Sequence, residues 1–532
     1  MEAFAALLDR LVLSPQRNRK LQLIADYCAA TPDPDRGYAI AAMTRDLDIP
    51  SVKPAMLRTL ISERMDEALF QLSYHYVGDL AETISLAWPA KRGANRIPAL
   101  SEVVETLQQA SRTEGPAQIA SYLDALDPPG RWALIKLVTG GLRIGVSTRL
   151  AKIALARFGE KDITEIEELW HGLQPPYESL FAWLEGAAEK PVNAMRAPFR
   201  PVMLAHPIDE DKDLSAITPG DFAAEWKWDG VRVQAVSDKD ERRLYSRTGD
   251  DIGAAFPDLI EAMTFDAAID GELLIFDPHK PPYTVMPFGD LQQRLNRKTV
   301  SKKMLGAFPA FIRAYDLLAL NGEDLRTLPF VERRAQLETF LTDYSPVRFD
   351  LSPLVSYNHI DQLQQKRSEP PEDAIEGLML KRKTAPYVPG RPKGEWWKWK
   401  RDPYLIDTVM MYAQRGHGRR SSFYSDYTFG VWKEDEIVPV GKAYFGFTDE
   451  ELKRLDKFVR DNTTDRFGPV RQVRFGREEG LVLEIAFEGL NRSKRHKSGV
   501  AMRFPRIHRI RWDKPAREAD ELATLEAMLP PE

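Results

Sequence analysis

The sequence is poor in the groups that build disulfide frameworks and metal cages. A single residue of 532, Cys28, is cysteine, which excludes a disulfide framework and a Cys-rich zinc site. The eight histidines do not cluster at metal-ligand spacing, and no H-E-x-x-H occurs. Both common glycine-rich nucleotide loops are missing. There is no G-x-x-x-x-G-K-[ST] and no G-x-G-x-x-G opening a helix, so P-loop and Rossmann chemistry are disfavoured. Nor is there a G-x-S-x-G elbow for a serine hydrolase. No apolar run approaches the roughly 20 residues of a membrane span. The N-terminus also lacks a basic region followed by a continuous apolar stretch. A formal net charge of −5 gives no global basic field for a polyanion and leaves local asymmetry to supply one. A cytoplasmic protein without membrane contact is the expectation.

What is present divides into three parts, as a chain too long for one core should. Phe4, Leu7, Leu8 and Leu11 repeat at helical spacing. Leu150, Ile153, Ala154 and Phe158 do so again, with Ser147 or Thr148 as cap and Gly159 as stop. Residues 1–195 are therefore expected to be all-α. Pro191, Pro198, Pro201 and Pro207 then mark a linker. From about residue 220 the period becomes two, with Val231, Val233 and Ala235 alternating with Arg232 and Gln234. Strands are expected at Ala268–Phe276, Ala310–Leu318 and Gly377–Lys381, with a helix at Val331–Leu341, which makes 196–403 an α+β domain. After Pro403 strands return, with a turn at Arg415-Gly416-His417-Gly418. Leu481, Leu483, Ile485 and Phe487 form one alternating face, and a helix is expected at Glu450–Val459. Residues 404–532 suit a β-barrel of the OB type.

Short polar motifs punctuate the last two parts. Alternation puts Glu225 and Lys227 of "AEWKWDG" on one face, before an Asp229-Gly230 turn. Alone, Lys227 reads as readily as an exposed strand lysine. "YSRTGDD" offers Arg247 at a turn. In "AIDGELLIF", Asp270 and Glu272 share a face and suit ribose hydroxyls or a hard cation, or simply a solvated face. Tyr315 in "RAYDLLAL" is a packing residue or a stacking platform. Glu376 and Lys381 of "EGLMLKR" fall on opposite faces of a regular strand, so a shared site needs a strand end or bend. In "GEWWKWKRD", Lys398 and Lys400 project together from one face, with Trp397 and Trp399 behind them. That juxtaposition is unfavourable unless an anion lies between the lysines. Two basic stretches stand out from a slightly acidic chain and point to phosphate. One is Lys381–Arg401. The other runs from Arg492, Lys494, Arg495 and Lys497 to Arg503, Arg506, Arg509, Arg511 and Lys514.

In this order the motifs resemble the signature of the covalent nucleotidyltransferases, specifically the ATP-dependent DNA ligases. They run from Lys-x-Asp-Gly at Lys227 to Arg-Phe-Pro-Arg at Arg503–Arg506. "LIKLVTGGLRIGVS" (Leu134–Ser147) and "YVGDLAET" (Tyr76–Thr83) are similar to the helical DNA-binding domain of those enzymes, most closely the bacterial cisplatin damage response type. The resemblance covers nearly the whole chain. It implies a helical DNA-binding domain (1–195), a nucleotidyltransferase domain (196–403) and an OB-fold domain (404–532). It further implies nick sealing through a lysyl-AMP intermediate, in DNA repair or replication. Lys227 would be the nucleophile, Glu225 an adenine contact and Tyr315 its stacking partner, at a position where many ligases carry phenylalanine. Arg232, Arg247 and Glu272 would hold ribose and phosphates, while Lys398 and Lys400 would contact the α-phosphate. Arg503 and Arg506 would orient the β- and γ-phosphates. Glu272 and Glu376 would serve Mg²⁺ (or Mn²⁺), and Lys136, Arg143, Arg391 and Lys393 would contact DNA.

Implied partners are ATP, nicked duplex DNA and a repair nuclease or helicase, with the chain a nucleoid-associated monomer. A lysine amine must be neutral to attack phosphorus. Neighbouring cations, and burial between Trp226 and Trp228, are expected to favour that form. The rivals are an RNA ligase or mRNA guanylyltransferase, and a silent DNA-binding scaffold. An NAD⁺-dependent ligase is disfavoured because those enzymes resemble a design with a Cys-rich zinc module.

Overall fold

The computed structural model describes residues 1–89, 96–193, 195–280, 283–416, 423–493 and 496–529. His417 and Gly418 of the expected turn, and the basic residues Lys494 and Arg495, lie outside them. The chain gathers into two compact units. One holds Met1–Phe158, Pro175–Glu178 and Pro403–Glu532, and the other holds Gly159–Gln174 and Ser179–Asp402. No described helix is long and apolar enough to cross a membrane.

Up to residue 184 the described residues form helices and no strand. Helix Glu2–Leu13 buries Phe4, Leu7, Leu8 and Leu11, the stripe expected from the periodicity. Helix Thr148–Gly159 starts where Ser147 Oγ accepts a hydrogen bond from the Leu150 amide. Its buried side differs from the expected one, because Ala151, Lys152, Ala154, Leu155 and Ala156 are covered while Leu150, Ile153 and Phe158 are only half-buried. The covered arc is therefore rotated from the expected stripe and takes in Lys152 and Leu155 with three alanines.

The 191–207 segment is not the free linker its prolines suggest. Ala197, Phe199, Met203 and Ala205 are buried in a cluster with Val236, Tyr245, Tyr387 and Trp396. The Ala197 carbonyl accepts from the Tyr245 hydroxyl at 2.8 Å. Side chains of this strip enter the core even though Ala197 takes a left-handed φ of +50°.

The second unit is built on two sheets. Its strands are β1 (His206–Pro207), β2 (Phe222–Trp228), β3 (Val231–Asp238), β4 (Glu241–Ser246), β5 (Ala267–Ile275), β6 (Ala310–Leu320), β7 (Glu323–Asp324), β8 (Phe349–Leu351), β9 (Ile375–Arg382) and β10 (Trp396–Lys400). One sheet has the order β1-β10-β9-β2; the other runs β4-β3-β5-β6-β7, with β8 beside β6. Helix Phe330–Tyr344 packs on β6. On β2, β9 and β10 one set of alternate residues, Ala224, Leu378, Leu380 and Trp399, enters a core with Phe222 and Leu363. Ala223, Glu225, Lys227, Met379, Lys381, Lys398 and Lys400 thereby turn to the other face. The second sheet buries Val233, Ala235, Ile269 and Leu273 on its far side.

The C-terminal part is antiparallel and OB-like. Its strands are β11 (Tyr404–Arg415), β12 (Tyr424–Lys433), β13 (Glu436–Ala443), β14 (Thr463–Phe467), β15 (Val470–Val473), β16 (Val482–Phe487), β17 (Gly489–Arg492), β18 (Val500–Arg503) and β19 (Arg506–Arg511). Leu481, Leu483, Ile485 and Phe487 share its core as their alternation requires, and helix Asp449–Asn462 adds Leu455 and Val459. That helix begins in a capping box, Thr448 with Glu451.

Gly377 fixes the distance between β9 and β10. Its φ is +145°, and a Cβ there would lie 2.2 Å from the Trp399 carbonyl oxygen and 2.7 Å from Lys400 Cα. Gly377→Ala is therefore expected to lower the melting temperature by several degrees and to separate Lys400 from β9. Thermal unfolding of both proteins checks this, and an unchanged midpoint would contradict it.

Candidate active site

Two β-bulges aim the key side chains. Between β2 and β9 the register runs Lys227 opposite Gly377 and then Trp228 opposite Ile375, leaving Glu376 as the extra residue. Between β5 and β6 it runs Asp270 opposite Asp316 and then Gly271 opposite Ala314, leaving Tyr315 extra. A bulge resets the alternation of side chains. Glu376 thus reaches the face of Lys227, and Tyr315 turns towards the other sheet. The expected conflict between Glu376 and Lys381 disappears for this reason.

Lys227 and Lys400 stand opposite Gly377 from the two sides of β9. Glu376 joins them: its Oε1 accepts from Lys227 Nζ in a short contact, and Oε2 pairs with Lys400 Nζ at 2.9 Å. Burial raises the Glu376 carboxyl, but the two ammonium groups outweigh it and hold the acid below its usual range. Lys398 lies beside them. Burial and the charges of Arg391, Lys227, Lys400 and Arg247 push its ammonium below the usual lysine range. Glu376 pairs Lys400 with Lys227 rather than with Lys398, whose charged neighbours are cations.

Asp229-Gly230 forms the β2–β3 turn, and its glycine is sterically required. A Cβ on Gly230 would come within 2.6 Å of the Leu273 carbonyl oxygen and 2.8 Å of Glu272 Cγ. Glu272 is thereby packed against the turn that follows the lysine. Burial pushes its carboxyl up to about 7, Lys227 and Arg232 oppose that rise, and Glu376 and Asp229 add to it.

The tryptophans beside Lys227 do not sandwich it. Both pack on the reverse side of the strand, Trp228 with Leu274 and Phe311, because neighbours on a strand point oppositely. The Arg313 guanidinium covers the Trp228 ring at 4.1 Å.

Asp270 is not available to ribose or metal. It is fully buried and accepts from Arg232 Nη2 at 2.6 Å, Gln234 Nε2 at 3.1 Å and the Tyr387 hydroxyl at 2.5 Å. Arg232 is committed in turn, donating also to the Met203 carbonyl at 2.5 Å, and its guanidinium lies 5.9 Å from the Tyr315 ring centre. Arg247 stands on the turn after β4 with its guanidinium partly covered, facing the same charges. Burial and the cations Arg232 and Arg391 lower its basicity.

At the other end Glu225 is 2% exposed, bound to Arg334 Nη1 at 2.9 Å and Lys381 Nζ at 2.5 Å. Lys381 also sits 4.4 Å from the Tyr315 ring centre and 4.7 Å from that of Trp396. The two lysines of β9 and β10 that flank this wall therefore differ in task, Lys381 structural and Lys398 facing charge.

Lys136, expected at DNA, is buried and paired with Asp79 at 2.6 Å, so it is unsuited to reach a phosphate. Asp79 also caps helix Leu80–Ala87, which explains why a cation is held there. Arg391 and Lys393 are exposed, and Arg391 bears on Lys398 and Arg247 as well as on solvent. Arg143 is exposed at a φ of +47° in the loop before helix Thr148–Gly159. Arg503 and Arg506 belong to the unit that does not contain Lys227; Arg506 pairs with Glu488 at 3.2 Å.

Residues 202–400 match the family model for the ATP dependent DNA ligase domain, and residues 420–514 match that for the ATP dependent DNA ligase C terminal region. A DNA ligase of Methanoculleus marisnigri is 30% identical over 404 residues, covering 75% of this chain and 70% of that protein. A probable DNA ligase of Koribacter versatilis is 29% identical over 564 residues, covering 99% and 96%. Among solved structures Pmar-Lig_PreS3 aligns over 96% of this chain and 99% of its own, with a TM-score of 0.60 at 15% identity, a likeness of fold.

Because Glu272 titrates near 7 when folded and near ~4.3 when unfolded, the folded chain holds an extra proton between those values. Wild type should therefore lose stability relative to Glu272→Gln as pH rises from about 4.5 to 7, with the difference constant above that. Melting curves without divalent ions check this, and parallel pH profiles would contradict it.

Proposed function

The chain belongs to the ATP-dependent DNA ligase family, and from that membership we propose that it seals 3′-hydroxyl/5′-phosphate nicks in duplex DNA with Lys227 as the carrier of AMP. The carrying observation is the Lys227–Glu376–Lys400 bridge on the sheet face that also presents Glu225. Glu225 and Lys227 are two residues apart, about 7 Å along the strand, which suits a base at one end and an α-phosphate at the other.

In the first step Lys227 Nζ attacks the α-phosphorus of ATP. A P–N bond forms, the bond to the bridging oxygen breaks and pyrophosphate leaves, while the nitrogen gives up its protons, Glu376 being the carboxylate in contact to take one and solvent the other. Lys398 and Lys400 stabilise charge on the phosphoryl oxygens, and Glu376 orients the amine. The AMP then passes to the 5′-phosphate of the nick, freeing the lysine. Finally the 3′-hydroxyl attacks that phosphate and expels AMP. Tyr315 stacks on adenine, with Arg232 serving as the fixed wall beside it. Arg247, the less encumbered arginine, suits the phosphates with Glu272. Arg503 and Arg506 are assigned to the β- and γ-phosphates on the Arg-Phe-Pro-Arg motif.

Among the described residues no group of three metal-ligating side chains comes together. Glu272 and Glu376 do repel one another, and a carboxylate pair completed by phosphate oxygens is the donor set Mg²⁺ accepts. A bound ion would neutralise phosphate charge there.

For the duplex we propose the helical part. A concavity of about 910 Å³ is lined by Arg17, Arg45, Arg143 and the glycine-rich 140–147 loop, a cationic surface open to a phosphate backbone.

With ATP and a divalent ion, a singly nicked duplex should be sealed, and Lys227→Ala should leave no sealed product. Sealing that survives this change, or proceeds with GTP in preference, would contradict the proposal. Affinity for the nicked duplex should fall steeply with salt. Arg143→Ala should reduce that dependence by about one counterion while leaving the adenylation rate unchanged.

A further inference from the structure

The buried face of helix Phe330–Tyr344 contains an anomaly. Phe330, Leu337 and Phe340 are the apolar positions of that face, and between them, at i+3 and i+4 from Phe330, stand Arg333 and Arg334. Both are buried, at 0% and 5% exposure. A guanidinium inside a core is retained where it is paired and hydrogen-bonded. Arg333 meets Asp316, the neighbour of Tyr315, at 2.7 Å. Arg334 meets Glu225.

Resting on the reading of Glu225 as the adenine contact, we infer that Arg334 is the positioning residue that sets nucleobase specificity, by locking Glu225 in the orientation that accepts from the adenine 6-amino group. A carboxylate offers about four acceptor sites on two oxygens. Arg334 Nη1 occupies one on Oε1 and Lys381 Nζ one on Oε2, so lone pairs remain for a donor from the base. The lysine is a point charge about which a carboxylate can turn, whereas the planar guanidinium fixes a direction. Arg334 is itself locked. Its Nη2 donates to the Ser352 carbonyl at 2.7 Å and its Nε to Glu338 at 2.8 Å. The Ser352 amide donates to the Ala314 carbonyl at 2.8 Å, beside the Tyr315 bulge. One side chain thus ties the acceptor to the strand that carries the stacking ring. A fixed acceptor rewards a 6-amino group, gives nothing to a purine lacking one and repels the 6-oxo group of guanine.

The test compares adenylation of the full chain by ATP and by purine riboside triphosphate, which lacks the 6-amino group. Wild type should prefer ATP by about 100-fold or more, as sites built to bond a polar group do. Arg334→Met should shrink that preference to within about fivefold, through a KM for ATP raised at least tenfold and a kcat changed less than threefold. An unchanged far-UV circular dichroism spectrum should report an intact fold. Arg334→Lys cannot reach both Glu225 and Ser352 with one ammonium and should fall between the two. Undiminished preference in Arg334→Met, or in Arg334→Lys should the first variant lose its fold, overturns the inference. Glu225→Ala separates the two levels. If it keeps the wild-type preference, the adenine reading falls and takes this inference with it. If it loses the preference while the Arg334 variants keep it, the role of Arg334 alone is refuted.

Discussion

Two lysine ammonium groups on neighbouring sides of one strand repel unless something negative stands between them, and Glu376 is that group. Its two oxygens take Lys227 and Lys400 separately, and it can do so because it is the bulged residue of β9. Much of the local backbone serves this contact. Gly377 lets β10 approach closely enough to bring Lys400 alongside, and Gly230 lets the turn after Lys227 press against Glu272. On the proposed function, a nucleotide phosphate arriving here would find cations already gathered, the form of preorganisation that favours a developing charge.

Behind the face that carries Glu225 and Lys227 the fold is built from buried charge. Glu225, Lys381 and Arg334 form one group, Asp316 and Arg333 a second, and Asp270, Arg232, Gln234 and Tyr387 a third. Such pairs add little net stability, because desolvation offsets their attraction, but breaking one leaves an uncompensated charge. Their yield is geometric. Each fixes a side chain next to Tyr315 or on the face of Lys227, so that ring and that amine keep their spacing.

Much of this was legible in the residues. Alternation placed Glu225 with Lys227 and Lys398 with Lys400, and put Trp397 and Trp399 behind the lysines. Motif order led to the right family. What alternation does not carry is its own interruption: the bulges at Glu376 and Tyr315 come from cross-strand pairing, which local periodicity does not encode. Burial of charge was equally hidden. Lys136 reads as a surface cation until Asp79 is found beside it, and Asp270 looks like a free ligand until Arg232, Gln234 and Tyr387 close on it. Arg333 and Arg334 did leave a trace, two arginines within an apolar stripe. The prolines of 191–207 misled because proline restricts the backbone without deciding whether its neighbours are buried.

On the proposed function this cluster serves one nucleophile, Lys227, with its lysine neighbours acting on phosphate. Peptide mapping by mass spectrometry of the wild-type chain after incubation with ATP and a divalent ion addresses it directly. A single AMP adduct, on Lys227, is expected. An adduct on Lys398 or Lys400, or none at all, would contradict it.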